Sequence, residues 1–244
     1  SDRGIFLQSM KESLDAEPMV TRKFFLQAVH VAYEKAMRRD IKYSAPIILF
    51  PLHGPYPDHA KPLLEDFPDT RFVQMIREPA QNLGSYFSHH LKRGHGVMSL
   101  DRFKWIVDDI LYGGKSVHPQ YRERSRAVKL EDIHRNPRET MEKLCVWLDI
   151  PWNDVLLEST FGGLKWWNLQ DAPQVSGFSS VTIQQRHPLC LSAFDKFRLR
   201  ILMAKKLKKW RYPISWWQLN SVMRFLVGFL WLVPLRMEKM VCAS

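Results

Sequence analysis

Cysteine is scarce in this chain. The three present in 244 residues, Cys145, Cys190 and Cys242, stand far apart and form no CxxC pair. An odd number without framework spacing argues against a disulfide scaffold and against a zinc site. A reducing, cytoplasmic setting fits this usage. No signal-peptide pattern opens the chain, which begins at Ser1 rather than Met. No uncharged apolar run reaches the roughly 20 residues that a membrane-spanning helix needs. Internal repeats and low-complexity tracts are absent. Acidic residues are in deficit: 25 Asp+Glu face 36 Lys+Arg, a formal net charge of +11. Such an excess calls for an anionic partner: a nucleotide, an acidic or sulfated glycan, nucleic acid or an anionic membrane. The apolar fraction of 45% is ordinary and can build one large domain or two small ones.

Residues 5–39 read as helical, with Phe6, Met10 and Leu14 on one stripe and Phe24, Phe25, Ala28, Val29, Ala32 and Ala36 on a second. Three short runs read as strands: Ile47–Phe50, closed by Pro51; Phe72–Ile76; and Ala127–Leu130, followed by the acidic pair Glu131–Asp132. Between them lie helical patterns at Lys61–Asp66, Gln81–Lys92 and Leu100–Tyr112. Another opens at Pro137 and runs to Leu148. Strand alternating with helix predicts an α/β fold with a parallel sheet flanked by helices. Residues 160–190 are loop-like. Gly113-Gly114-Lys115-Ser116 superficially suggests a phosphate loop, but it precedes a strand instead of following one and reads as a turn.

The segment Arg71–Tyr86 carries the most chemistry. An apolar strand stops at Arg77, turns through Pro79 and enters a helix bearing Ser85. An Arg offers a planar fork of donors and a helix start offers free N–H groups, so the pattern suits an anion. The competing reading is an Arg that caps a surface loop.

The C-terminal part has its own character. Asp195–Arg211 holds eight Lys/Arg interleaved with Phe197, Ile201, Leu207 and Trp210. After Pro213 come Trp216 and Trp217, then an uncharged run from Phe225 to Leu235 between Arg224 and Arg236. Basic and Trp-rich neighbours suit residues 195–235 to an anionic membrane surface. A helix packed on the core or on a second copy is the alternative.

From Ile47 to Pro213 the chain resembles the PAPS-dependent sulfotransferases, in particular the bacterial-type group. Four blocks carry the resemblance: DFPDTRFVQMIREP (66–79), VKLEDIHRNPRETMEKLCVWLDIPW (128–152), STFGGLKWWN (159–168) and LSAFDKFRLRI…WRYP (191–213). In the second block Leu130 replaces the usual aromatic residue. The resemblance implies a three-layer, P-loop-kinase-like sulfotransferase fold over residues 1–213, with 214–244 as an apolar tail. It also implies an activity: sulfuryl transfer from PAPS, leaving PAP, to a hydroxyl or amine of a glycan, a lipid or a small metabolite, with no metal required.

The same resemblance implies site residues. Arg77 and Ser85 match the pair that holds the donor's 3′-phosphate. Trp166 would stack on adenine, or with Trp167 plug the core, and Arg186 is the cation of the loop that follows. His53, at the end of the first expected strand, approximates the catalytic base, and His59 is the second choice. An imidazole suits proton removal near neutral pH. The glutamate–aspartate pair at 131–132 would order the neighbourhood of the site. His89, His90 and His95 lack the carboxylate or cysteine that would complete a metal set.

One family motif is missing: the N-terminal strand–loop–helix that cradles the 5′-phosphosulfate. Either an upstream segment supplies it, which the start at Ser1 and the early position of Arg77 favour, or the chain is a degenerate, non-catalytic scaffold. Nucleic-acid binding is the weakest reading, because the basic residues cluster in one segment and no nucleic-acid module is recognisable.

Overall fold

The computed structural model describes residues 2–37, 47–49, 57–94, 97–112, 122–161, 164–165, 177–180, 183, 191–229 and 233–242. They fall into two compact units: residues 1–71 with 160–164, and residues 72–159 with 165–244.

The first unit is built on a helical hairpin, α1 (Arg3–Ala16) and α2 (Arg22–Ala36). The expected continuous helix is broken at 17–21. Pro18 has no N–H to continue the ladder, so α1 stops short of it. Thr21 restarts the chain as an N-cap, its hydroxyl accepting the Phe24 N–H at 3.1 Å. Asp2 caps α1 through the Gly4 and Ile5 N–H groups. Met10, Ala28 and Ala32 form the shared core, with Phe6, Leu14, Phe24 and Val29 against it. A short helix, α3 (Pro57–Asp66), follows. The first expected strand is not found in its described part. Ile47–Leu49 pairs with nothing described, and Ile47 and Leu49 are 72% and 86% exposed. An apolar run becomes a buried strand only where a ladder and a covering layer meet it; Phe50 lies outside the described residues.

The second unit carries the parallel pair that the alternation of elements predicted. β1 (Phe72–Ile76) and β2 (Ser125–Lys129) run in register from Phe72–Ser125 to Ile76–Lys129. Parallel strands need a long crossover, and α4 (Pro79–Lys92) and α5 (Leu100–Tyr112) lie in it. β2 leads directly into α6 (Leu130–Arg135) and α7 (Pro137–Leu148). Asp149 ends α7 in the left-handed conformation, φ 57°, which lets the Ile150 N–H reach the Cys145 carbonyl. Two short strands, β3 (Thr160–Phe161) and β4 (Leu164–Lys165), form a second sheet.

The basic C-terminal segment forms two helices, α8 (Ala193–Leu202) and α9 (Ala204–Lys209). A 3-10 turn at Trp216–Leu219 and helices α10 (Ser221–Phe229) and α11 (Arg236–Val241) complete the chain. The main core gathers Leu83 and Phe87 from α4, Phe103, Ile106 and Val107 from α5, Leu199 from α8, Leu207 from α9, and Leu235 and Met237 from the tail. The Phe87 and Phe103 rings sit 5.0 Å apart between α4 and α5.

Candidate functional site

Parallel strands place their useful residues at the carboxyl edge. Here the register decides what meets there. With Ile76 opposite Lys129, the next residues along each strand, Arg77–Glu78 and Leu130–Glu131, are neighbours. The Glu78 N–H donates to Glu131 Oε1 at 2.9 Å. Glu131 is only 8% exposed, and its second oxygen accepts the Tyr212 hydroxyl at 2.8 Å. A carboxylate with neutral donors on both oxygens ties together β1, β2 and the loop after α9.

Tyr212 is aimed by local backbone geometry. Arg211 has φ 57°, a left-handed conformation uncommon outside glycine, asparagine and aspartate. It reverses the chain after α9, with the Tyr212 N–H bonded to the Leu207 carbonyl at 2.9 Å. The Arg211 carbonyl is then free to accept Lys129 Nζ at 3.0 Å, and the same ammonium lies 4.7 Å from the Tyr212 ring centre. Burial, reinforced by the bond to Glu131, pushes the Tyr212 phenol far above its ordinary value. It is a fixed donor and no proton shuttle at neutral pH.

The start of α4 departs from the expectation of open N–H groups. Glu78 is the N-cap, and its carboxylate accepts the Gln81 N–H at 2.8 Å. Pro79 has no N–H at all. The helix end is thus satisfied by the chain's own acid, and anion binding falls to side chains. Burial pushes the Glu78 carboxyl above its usual value, against the hydrogen bond from Gln81 and the attraction of Arg200, whose Nη1 stands 3.8 Å away.

Arg77 and Ser85 are both half-buried. Arg77 follows β1 directly, and Ser85 sits about 9 Å along α4 from Pro79 at 1.5 Å per residue. Among the described residues no carboxylate forms an ion pair with Arg77. Its titratable neighbour is His134, on α6 one turn beyond Glu131. His134 Nδ1 accepts the Ser179 N–H at 3.0 Å, and its ring lies edge-on to Phe178 at 5.7 Å. An accepting Nδ1 assigns the ring proton to Nε2. Burial first, and the Arg77 charge after it, hold the imidazole below its usual value, so it is neutral at pH 7.

Of the expected site residues, Arg77 and Ser85 are therefore placed on the loop and helix that follow β1. His53, Trp166 and Arg186 lie outside the described residues, as does the Gly113–Ser116 turn. His59 belongs to α3 in the first unit, its side chain undescribed. Sequence reasoning missed Glu78 and His134, and Tyr212 stood only inside the block 191–213. The spacing of Glu131 and His134, one helical turn apart, was the available signal for the histidine. Among the described residues no group of three or more His, Cys, Asp or Glu could hold a metal. A hollow of about 590 Å³ runs along β2 between α7 and the end of α9; a smaller one of about 220 Å³ borders the start of α4. Neither is lined by Arg77 or Ser85.

A strand, a loop whose Arg has no carboxylate partner among the described residues, and a helix with a half-buried Ser form one continuous segment, and that segment falls inside a recognised sequence family. The family model described as "Sulfotransferase family" matches residues 7–154. This chain belongs to the sulfotransferase family. The comparison with curated proteins found no match. Among solved structures the chain is similar to the "Sulfotransferase Domain from the Curacin Biosynthetic Pathway", at 15% identity and TM-score 0.38, over 95% of this chain and 79% of that one.

Proposed function

We propose that this sulfotransferase-family chain moves a sulfuryl group from PAPS to a hydroxyl or amine of a glycan, a lipid or a small metabolite. The observation that supports the donor half is a cation at a strand end: Arg77 is half-buried, has no carboxylate partner among the described residues, and stands beside a neutral histidine. A dianionic 3′-phosphate is the kind of ligand that satisfies such a group. Arg77 would meet it with the guanidinium fork, and Ser85 would add a hydroxyl from α4. Glu131 and Tyr212 would hold the loop in place and touch no ligand.

In the transfer, an acceptor oxygen or nitrogen attacks sulfur, the bond from sulfur to the 5′-phosphate oxygen breaks, and PAP leaves. The acceptor's proton passes to a base, for which His53 is the first candidate and His59 the second. Orientation and charge stabilisation supply the acceleration, and Lys, Arg and N–H groups can provide both without a metal.

A thermal-shift titration tests the donor half. PAP should raise Tm more than AMP, which lacks the 3′-phosphate, does. Equal shifts would remove Arg77 and Ser85 from the role given them. The second reading, a scaffold that binds nucleotide without turnover, follows from the missing 5′-phosphosulfate loop. It predicts a PAP shift with no consumption of PAPS by any hydroxylated acceptor.

A further inference from the structure

α10 is amphipathic in the wrong direction for a core helix. Val227, 3% exposed, faces inward. Val222, Phe225, Leu226 and Phe229 recur at helical spacing on another face and are 64%, 67%, 55% and 58% exposed. Trp216, in the turn just before, is 81% exposed. Helix α10 packs on α8 and on that turn, and the turn touches α9 as well. So the apolar stripe and the lysine-rich α9 belong to one small assembly. Between Asp195 and Glu238 the sequence holds ten Lys/Arg and no carboxylate. Lys205, Lys208, Lys209 and Arg211 are exposed. Among the described residues no helix is long and apolar enough to cross a membrane.

From these observations we infer that α10 and the Trp216 turn dock this chain on an anionic lipid bilayer. The stripe enters the headgroup boundary, and the cations of α9 face lipid phosphates. Bulky apolar side chains beside a tryptophan and a field of one sign are what an interfacial helix uses. A water-soluble protein partner of matching shape would not need an acid-free stretch of sequence of this length. The membrane contact is made by a face of α10 and by α9. Leu235 and Met237 are not available for it: they are 2% and 0% exposed in the main core. The inference is independent of the donor site, since it concerns binding and not turnover.

The test is flotation of the full chain with 100 nm vesicles of phosphatidylcholine alone, or with about a third phosphatidylglycerol. Floating with the mixed vesicles, weakened by high salt, is expected. The double variant F225S/F229S should lose about tenfold or more in vesicle affinity while keeping Tm, because both rings are already exposed. K208Q/K209Q should lose about fivefold per lysine on the anionic vesicles alone. Absence of flotation, or equal flotation of F225S/F229S, overturns the inference. So does a wild-type dimer in vesicle-free light scattering that F225S/F229S dissolves, which would make the stripe a contact between copies.

Discussion

Arg77 and Arg198 are both withdrawn from water, and the chain treats them in opposite ways. Arg198 is fully buried, and its two terminal nitrogens are held by groups of the chain itself. Its Nη2 meets Asp195 at 2.7 Å and its Nη1 meets the Val233 carbonyl at 2.5 Å. Asp195 also takes the Ser192 hydroxyl at 2.8 Å and the Arg236 N–H at 3.2 Å. That cluster caps α8 and fastens the tail to the core. Among the described residues no carboxylate pairs with Arg77, although Glu78 follows it directly and Glu131 lies across the strand pair. Both acids are occupied elsewhere: Glu78 with the helix end, Glu131 with Tyr212 and the Glu78 N–H. A cation closed by its own chain is architecture. A cation left open while the acids around it are committed is suited to a ligand.

The largest effect should come from opening the closed cluster. Arg198→Ala leaves Asp195 buried and uncompensated and should cost about 3–5 kcal/mol in urea unfolding. A loss below about 1 kcal/mol would show that the tail is not fastened there. The same cluster sets an acid limit. Burial alone would raise the Asp195 carboxyl, but the bonds from Ser192, Arg236 and Arg198 outweigh it and hold the group below its ordinary 3.8. Its stabilisation is therefore complete above that value and is lost as pH falls through the lower, folded one. In Arg198→Ala the acid midpoint should move up.

Next in size is the acid that commits the neighbours of Arg77. Glu131→Ala strands the Tyr212 hydroxyl and the Glu78 N–H, an expected cost of about 2–3 kcal/mol. Tyr212→Phe removes one donor to the same carboxylate and should cost about 1–2 kcal/mol. Both should weaken nucleotide binding indirectly, by loosening the loop that carries Arg77.

How far this contrast could be read in advance depended on range along the chain. β1, α5 and α7 follow from local periodicity and from Pro137 at a helix start, and the structure has them at the expected residues. β2 begins two residues earlier than its apolar run, because Ser125 and Arg126 join the ladder through backbone alone. The Pro18 break lay in plain view but was overridden by the two apolar stripes on either side of it. Arg77 and Ser85 were legible because a strand, a charge and a helix are consecutive. The Glu131–Tyr212 bond was not, since it joins residues 81 apart and rests on a left-handed Arg211 that no residue preference announces. Trp-rich apolar character marked the tail as a unit, yet α10 shows its apolar side to solvent and Leu235 and Met237 are buried. Hydrophobicity alone does not tell these apart; the Arg198 cluster does.

A smaller and more local effect reads the electrostatics of the open site. His134 should titrate below 6.5 by NMR, since burial and the Arg77 charge both disfavour its protonation. Arg77→Ala should move that titration upward, and so should PAP bound at Arg77. A His134 that titrates identically in both proteins would mean that Arg77 does not face it.

The most direct measurement is the PAP-minus-AMP difference in Tm for the wild type and for Arg77→Ala. The account predicts that unliganded Tm is nearly the same in both, because Arg77 makes no ion pair among the described residues. It predicts that PAP stabilises the wild type more than AMP does, and that the difference collapses in the variant. An undiminished PAP preference in Arg77→Ala, with the fold intact, would contradict it.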